Sequence, residues 1–212
     1  MGTQTVELHI DPLCPWCWLT SRWLFEAERI RPFEVVTKLF SLAEVNRAAG
    51  HERDALNAGE RALRVLAAVR RSGGEAAIRA AYTQIGEAHH ERDEPLGETA
   101  TLQRALAAAG LDPADAEAAL ADPSTLTELL AEHAAAVERG AFGVASLSVD
   151  GGPLVFGPVV DTRIAGEAAG ELWDAVAPLL TNPSVFELKR PRTTRADVGR
   201  YRLRDAASRS AA

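Results

Sequence analysis

"DPLCPWCWLTSRWL", residues 11–24, holds both cysteines of the chain, Cys14 and Cys17, with Pro15 and Trp16 between them. Ahead of it Val6, Leu8 and Ile10 alternate with Glu7, His9 and Asp11, the pattern of a strand with one buried face. Behind it Leu19, Trp23, Ala27 and Ile30 recur at helical spacing. Pro15 suits a first helical turn, where its missing N–H would have no intrahelical partner, and Pro32 ends the pattern. "FEVVTKLF", residues 33–40, supplies a second strand rich in β-branched and aromatic side chains. The cysteines are therefore expected at the N-terminus of a helix that leaves the first strand.

From about Leu42 to Gly140 alanine, leucine, glutamate and arginine dominate, with breakers at Gly73-Gly74, Pro95, Gly110, Pro113 and Pro123. This predicts several short helices, with no solenoid period. "VASLSVD" (144–150), the turn "GGP" (151–153) and "LVFGPVV" (154–160) read as a hairpin. Ala165, Ala168, Leu172, Val176 and Leu179 mark a last helix. The order is βαβ, a helical block, then ββα, an α/β fold. The expected division is an α/β unit over 1–41 and 141–212 with a helical insertion over 42–140.

The chain has 212 residues, 47% hydrophobic and 25% charged, enough to bury a substantial core. A net charge of -7 argues against nucleic acid or an acidic membrane as partner, because nothing basic is concentrated enough to collect phosphates. Arg70-Arg71 reads as a solvated helix face, and "ELKRPRTTR", residues 187–195, as a small basic cluster. "MGTQTVELHID" at the start lacks a basic segment followed by an apolar run, and no stretch is apolar enough to span a bilayer. Val6 stands where a myristoylation pattern needs Ser or Thr. The expected location is the cytoplasm, where two neighbouring cysteines point to chemistry rather than to a structural disulfide.

Redox couple, half of a metal site and inert buried thiols are the three readings of the pair, and the redox couple is favoured. Zinc normally takes four ligands, and one chain offers two cysteines. His89 and His90 are adjacent and diverge on a helix, while His51 and His133 sit in helical surroundings as surface or satisfied histidines; no metal site is expected. At a helix N-terminus free amides and the macrodipole favour an anion, so Cys14 should ionise more easily than an ordinary thiol of pKa about 8.5 and act as nucleophile. Cys17, one turn inward, is the resolving thiol. His9, on the face opposite Val6 and Leu8, is a candidate for tuning Cys14. Trp16 either offers a flat apolar surface beside the sulfur or packs on Trp18 or Trp23. Asn46, after the second strand, either contacts substrate or caps a turn. Asp11 and Pro12 shape the turn into the cysteine loop.

A strand, Cys-x-x-Cys at a helix start and a βαβ…ββα frame together resemble the thioredoxin fold, with a large all-helical insertion as in DsbA-like proteins. "DPLCPWCWLTSRW", "SLAEVN", "FGPVV…GEAAGELWD" and "FELKR" resemble the actinobacterial branch of DsbA-like proteins that includes mycothiol-dependent nitroreductases, and the resemblance spans nearly the whole chain. It implies a thiol-disulfide oxidoreductase with no tightly bound cofactor, using mycothiol or another low-molecular-weight thiol as co-substrate. Its substrates would be small-molecule or protein disulfides, or electrophiles such as nitroaromatics, and it would be a monomer or homodimer. The resemblance also places Pro15, Trp16 and Asn46 at the thiol site. It departs at Val144-Ala145, which stands where thioredoxin-like proteins carry Xaa-cis-Pro facing the cysteines; the loop is expected to be either trans and rearranged or held cis by its surroundings. Pro153 lies after the strand and cannot replace that proline. Two alternatives remain: a dimer holding a zinc ion or iron-sulfur cluster with four cysteines from two chains, and a relative of kappa-class glutathione transferases and isomerases, which usually carry serine in place of the first cysteine.

Overall fold

A computed structural model describes residues 3–47, 50–54 and 57–199. Met1-Gly2 and the stretch 200–212, assigned above to the α/β unit, lie outside the described residues. Strand β1 (Gln4–Ile10) runs into helix α1 (Pro15–Glu28), followed by β2 (Phe33–Leu39). The segment between β2 and β3 carries helices α2 (Leu42–Val45), α3 (Ala58–Gly86), α4 (Thr99–Ala108), α5 (Ala114–Ala121) and α6 (Pro123–Glu138). A π-helical turn at Glu87–Glu91 extends α3, and Gly74, at φ 68°, breaks α3 into two arms. Strands β3 (Ser146–Val149) and β4 (Val155–Phe156) and helix α7 (Glu167–Thr181) complete the order. Regular structure in the segment predicted as an insertion is thus helical among the described residues.

The sheet order is β2-β1-β3-β4. β1 pairs in parallel with β2, from Gln4↔Phe33 to Ile10↔Leu39, and antiparallel with β3, Val6↔Val149 to His9↔Ser146. α1 and α7 pack together, with Trp23 donating its indole N–H to Ala169 O at 3.0 Å and Trp173 stacked on Phe33 at 4.2 Å. Side chains cap the free edge of β2. Glu28 accepts from Val35 N and Glu75 from Thr37 N, while Arg79 and Arg70 donate to Val35 O and Thr37 O. α3 thereby closes an edge that would otherwise present unpaired peptide groups.

Three expected boundaries shift. α1 stops at Glu28 because Ile30 N and Arg31 N both turn back to Ala27 O, and Ile30 is 39% exposed rather than part of the buried stripe. The second hairpin strand shrinks to two residues, since Gly157 is left-handed and Pro158 has no N–H for the ladder. In α7 the buried face is Ala169, Gly170, Trp173 and Leu180, one step out of phase with the expected stripe. Gly166, at φ 61°, delays the start to Glu167, so Ala165 lies outside the helix. Arg31 then sets the face, paired with Glu167 and Asp174 and lying so close over Gly170 that a Cβ there would meet its Cζ at 2.7 Å.

Candidate active site

The turn that delivers the cysteines is built by Asp11. Its carboxylate accepts from Leu13 N at 2.9 Å and from Leu42 N at 2.8 Å, tying the end of β1 to the start of α2, and its carbonyl accepts from Cys14 N at 3.1 Å. Burial pushes the Asp11 carboxyl up to about 6, against the pull of those two amides. Its side chain shapes the turn, as expected.

Cys14 is the N-cap of α1, with extended φ/ψ of -83° and 111°, and Pro15 follows in the first turn. Its Sγ accepts from Cys17 N at 3.4 Å, and it lies 3.8 Å from Val144 O, toward which the thiol can donate. The Val144–Ala145 peptide is cis, one of the two geometries expected at that position. Cys14, Pro15, Trp16, Cys17, Val144 and Ala145 therefore gather at one end of the sheet.

The two sulfurs occupy unequal surroundings. Cys14 keeps 8% of its surface, whereas Cys17 keeps none, with its Sγ 3.7 Å from His9 O and 3.8 Å from the Tyr82 hydroxyl. Burial pushes the Cys14 thiol up, while the N–H groups of Cys17 and Trp16 pull it down and Arg192 adds a smaller pull. The expected easy ionisation is thus corrected: desolvation outweighs the helix terminus. Cys17 is pushed well above the ordinary range, by its own burial and then by Cys14. Cys14 is therefore held nearer the ordinary thiol range than Cys17. A metal shared between two chains would reach Cys14 alone, because Cys17 is closed in from every side.

The other expected residues sort differently. His9 is buried and meets Cys17 through its carbonyl rather than Cys14 through its ring. Among the described residues neither ring nitrogen has a hydrogen-bond partner, and burial holds the imidazole down at about 4. Asn46 is exposed at the C-cap of α2, its side-chain amide donating to Leu42 O at 2.8 Å, the bond of a helix cap. It borders a cleft with Arg47, His51 and Glu60. His133 accepts from Ser41 N at 3.3 Å. Among the described residues no three His, Cys, Asp or Glu side chains converge on a metal position.

Sequence reasoning missed what α3 brings. Tyr82 reaches Cys17, and His90, read as a surface or satisfied histidine, is buried, donates Nε2–H to Pro12 O at 2.8 Å and stacks on Trp18 at 5.7 Å. Gly86 lets Trp18 lie directly on the helix, since a Cβ there would meet its Cζ3 at 2.1 Å. The glycine after a helical run was the one available signal, and it reads equally as a breaker.

A mixed sheet with paired cysteines at a helix N-terminus and a helical segment between β2 and β3 defines a DsbA-like, thioredoxin-fold thiol-disulfide oxidoreductase. Residues 13–190 match the Rv2466c-like family, described as mycothiol-dependent nitroreductase Rv2466c, and the chain belongs to that family. It is 36% identical over 198 residues to uncharacterized protein Rv2286c of Mycobacterium tuberculosis, spanning 92% of this chain and 84% of that one. The fold is similar to that of a probable DsbA oxidoreductase, SCO1869, from Streptomyces coelicolor, with TM-score 0.60, 20% identity and coverage of 90% and 94% of the two chains. It is also similar to the cytosolic disulfide reductase DsbM from Pseudomonas aeruginosa with GSH, with TM-score 0.56, 18% identity and coverage of 82% and 96%. Membership of this family displaces the kappa-class alternative.

Proposed function

We propose that the protein moves electron pairs between a low-molecular-weight thiol, mycothiol in the first instance, and disulfides or electrophilic small molecules such as nitroaromatics, with Cys14 as nucleophile and Cys17 as resolving thiol. The observation that carries this is the asymmetry of the pair: one sulfur at a helix N-cap with residual exposure, the other sealed one turn behind it. In disulfide reduction the Cys14 thiolate attacks one sulfur of RS–SR′, and the leaving thiolate takes a proton from solvent. Cys17 then gives up its proton and attacks Cys14 Sγ, releasing the second thiol and closing the Cys14–Cys17 disulfide. Two equivalents of the low-molecular-weight thiol reopen it, one forming a mixed disulfide on Cys14 and the second displacing it.

Trp16 is proposed as the flat wall of the substrate site, with Pro15 and the Val144–Ala145 backbone forming the rest of its mouth. Asn46 spends one amide N–H on Leu42 O, and its Oδ1 and second N–H are left to meet a substrate. The family points to mycothiol, and DsbM, whose fold is similar, is a cytosolic disulfide reductase; a cytoplasmic location is proposed on these grounds. No helix of the described residues is long and apolar enough to cross a membrane.

Mass spectrometry of Cys17→Ser recovered from a mycothiol-producing host tests the reading. A mycothiol adduct on Cys14, absent from Cys14→Ser, is expected. An unmodified Cys14 that also fails to react with an added mycothiol disulfide would overturn it.

A further inference from the structure

The basic cluster near the C-terminus has no part in the core. After α7 residues 182–199 turn back as a strap without helix or strand. Its far end is pinned: Ala196 and Val198 are buried, Asp197 N donates to Asp161 O at 2.7 Å, and the Thr194 hydroxyl donates to the Asp161 carboxylate. Just before the pin, exposed Arg192 lays its guanidinium over the indole of Trp16, 5.1 Å from the ring centroid. No carboxylate among the described residues forms an ion pair with Arg192. Asp11, inside the turn, has both oxygens occupied by backbone N–H groups. The charge of Arg192 also lies near enough to Cys14 to favour its thiolate.

A guanidinium stacked on an aromatic face keeps its N–H edge available for a planar anion. We propose that Arg192 and Trp16 form an anion subsite beside Cys14, selecting substrates that carry a carboxylate or similar group on a flat scaffold near the electrophilic atom. This rests on Cys14 being the nucleophile. The aromatic part of such a substrate would lie along Trp16, and its negative group would meet Arg192.

The test is a single turnover of the reduced protein, so no added reductant is needed. The protein dithiol gives two electrons to an aromatic disulfide and closes Cys14–Cys17; the two thiol protons pass to solvent when the dianionic reagent leaves as two aryl thiolates, and end on the two thiopyridones when the neutral reagent is reduced. Rates are compared for dianionic 5,5′-dithiobis(2-nitrobenzoate) and neutral 2,2′-dithiodipyridine. Arg192→Gln should slow the dianionic disulfide about fivefold and the neutral one by less than about twofold. Arg192→Lys, which keeps the charge without the planar fork, should fall between wild type and Arg192→Gln. The wild-type preference should shrink with added salt, and that of Arg192→Gln should not. Equal slowing of both disulfides, or of neither, would overturn the subsite. Cys14→Ser separates this from the underlying reading: if it reacts as fast as wild type, the assignment of the nucleophile fails, and the subsite with it.

Discussion

His9 on β1 and Asp11 in the turn that follows it respond to pH in opposite senses. Burial lifts the Asp11 carboxyl from its ordinary range to about 6, so the folded chain binds a proton there that the unfolded chain has released, and stability falls as pH rises from about 4 to 6. Burial lowers His9 to about 4, so here the unfolded chain binds the extra proton, and stability rises as pH increases from about 4 to 6.5. Each effect is on the order of 3 kcal/mol before relaxation, and the two nearly cancel. Substituting His9→Leu should leave the Asp11 slope exposed, so that urea midpoints decline from pH 4 to 6. A variant that instead becomes more stable across that window would refute the account. Tyr82→Phe removes a side-chain hydroxyl within reach of Cys17 without opening a cavity. Closure of the disulfide in stopped-flow exchange should slow by about threefold to tenfold, a loss of one charge-assisted hydrogen bond to the Cys17 thiolate, while the first attack by Cys14 keeps its rate.

At the scale of elements, α1 and α3 depend on one close approach. Trp18 of α1 lies on Gly86 of α3, its ring held between His90 and the guanidinium of Arg22, which stands 4.1 Å from the ring centroid. Gly86→Ala places a methyl group inside that ring and should cost about 2 to 3 kcal/mol in chemical denaturation, with Trp18 forced off its seat. Gly74→Ala, at φ 68° and ψ -159° with open space around it, should cost about 1 to 3 kcal/mol through the backbone alone, with the surroundings of Trp18 unchanged. Near-UV circular dichroism should change in Gly86→Ala and not in Gly74→Ala; an unchanged tryptophan signal in Gly86→Ala would show that the Trp18 contact is not what Gly86 serves.

For the whole molecule, the cysteine loop is where the α/β frame and the helical segment meet. Asp11 holds Leu42, His90 holds Pro12 O, Tyr82 reaches Cys17, and Gly59 lies against Leu13 and Asp11. Closing the Cys14–Cys17 disulfide pulls Cys17 Sγ away from Tyr82, so the effect should spread along α3. Hydrogen exchange of the reduced and oxidised forms should differ over residues 78–91 and remain unchanged in α4, which packs on α3 and α5. Identical protection along α3 would show that the helical segment does not sense the redox state.

Much of this was legible in the chain because it depends on local pattern. Period-2 alternation ending at Asp11, a proline suited to a first turn and two cysteines one turn apart together specify a strand, a helix N-terminus and an outer and an inner sulfur. None of these needs a distant contact to be read. Burial is different, since it is a property of neighbours brought from far along the sequence. Desolvation of Cys14, the Tyr82 hydroxyl on Cys17, the seat of Trp18 on Gly86 and the strap that carries Arg192 to Trp16 all join positions dozens of residues apart. The one-residue phase error in α7 has the same origin, because Arg31 and Phe33, on another element, choose its buried face. Local periodicity determined which elements form and where the two sulfurs begin, whereas packing between remote segments decided how much water reaches each sulfur and which side chains face it.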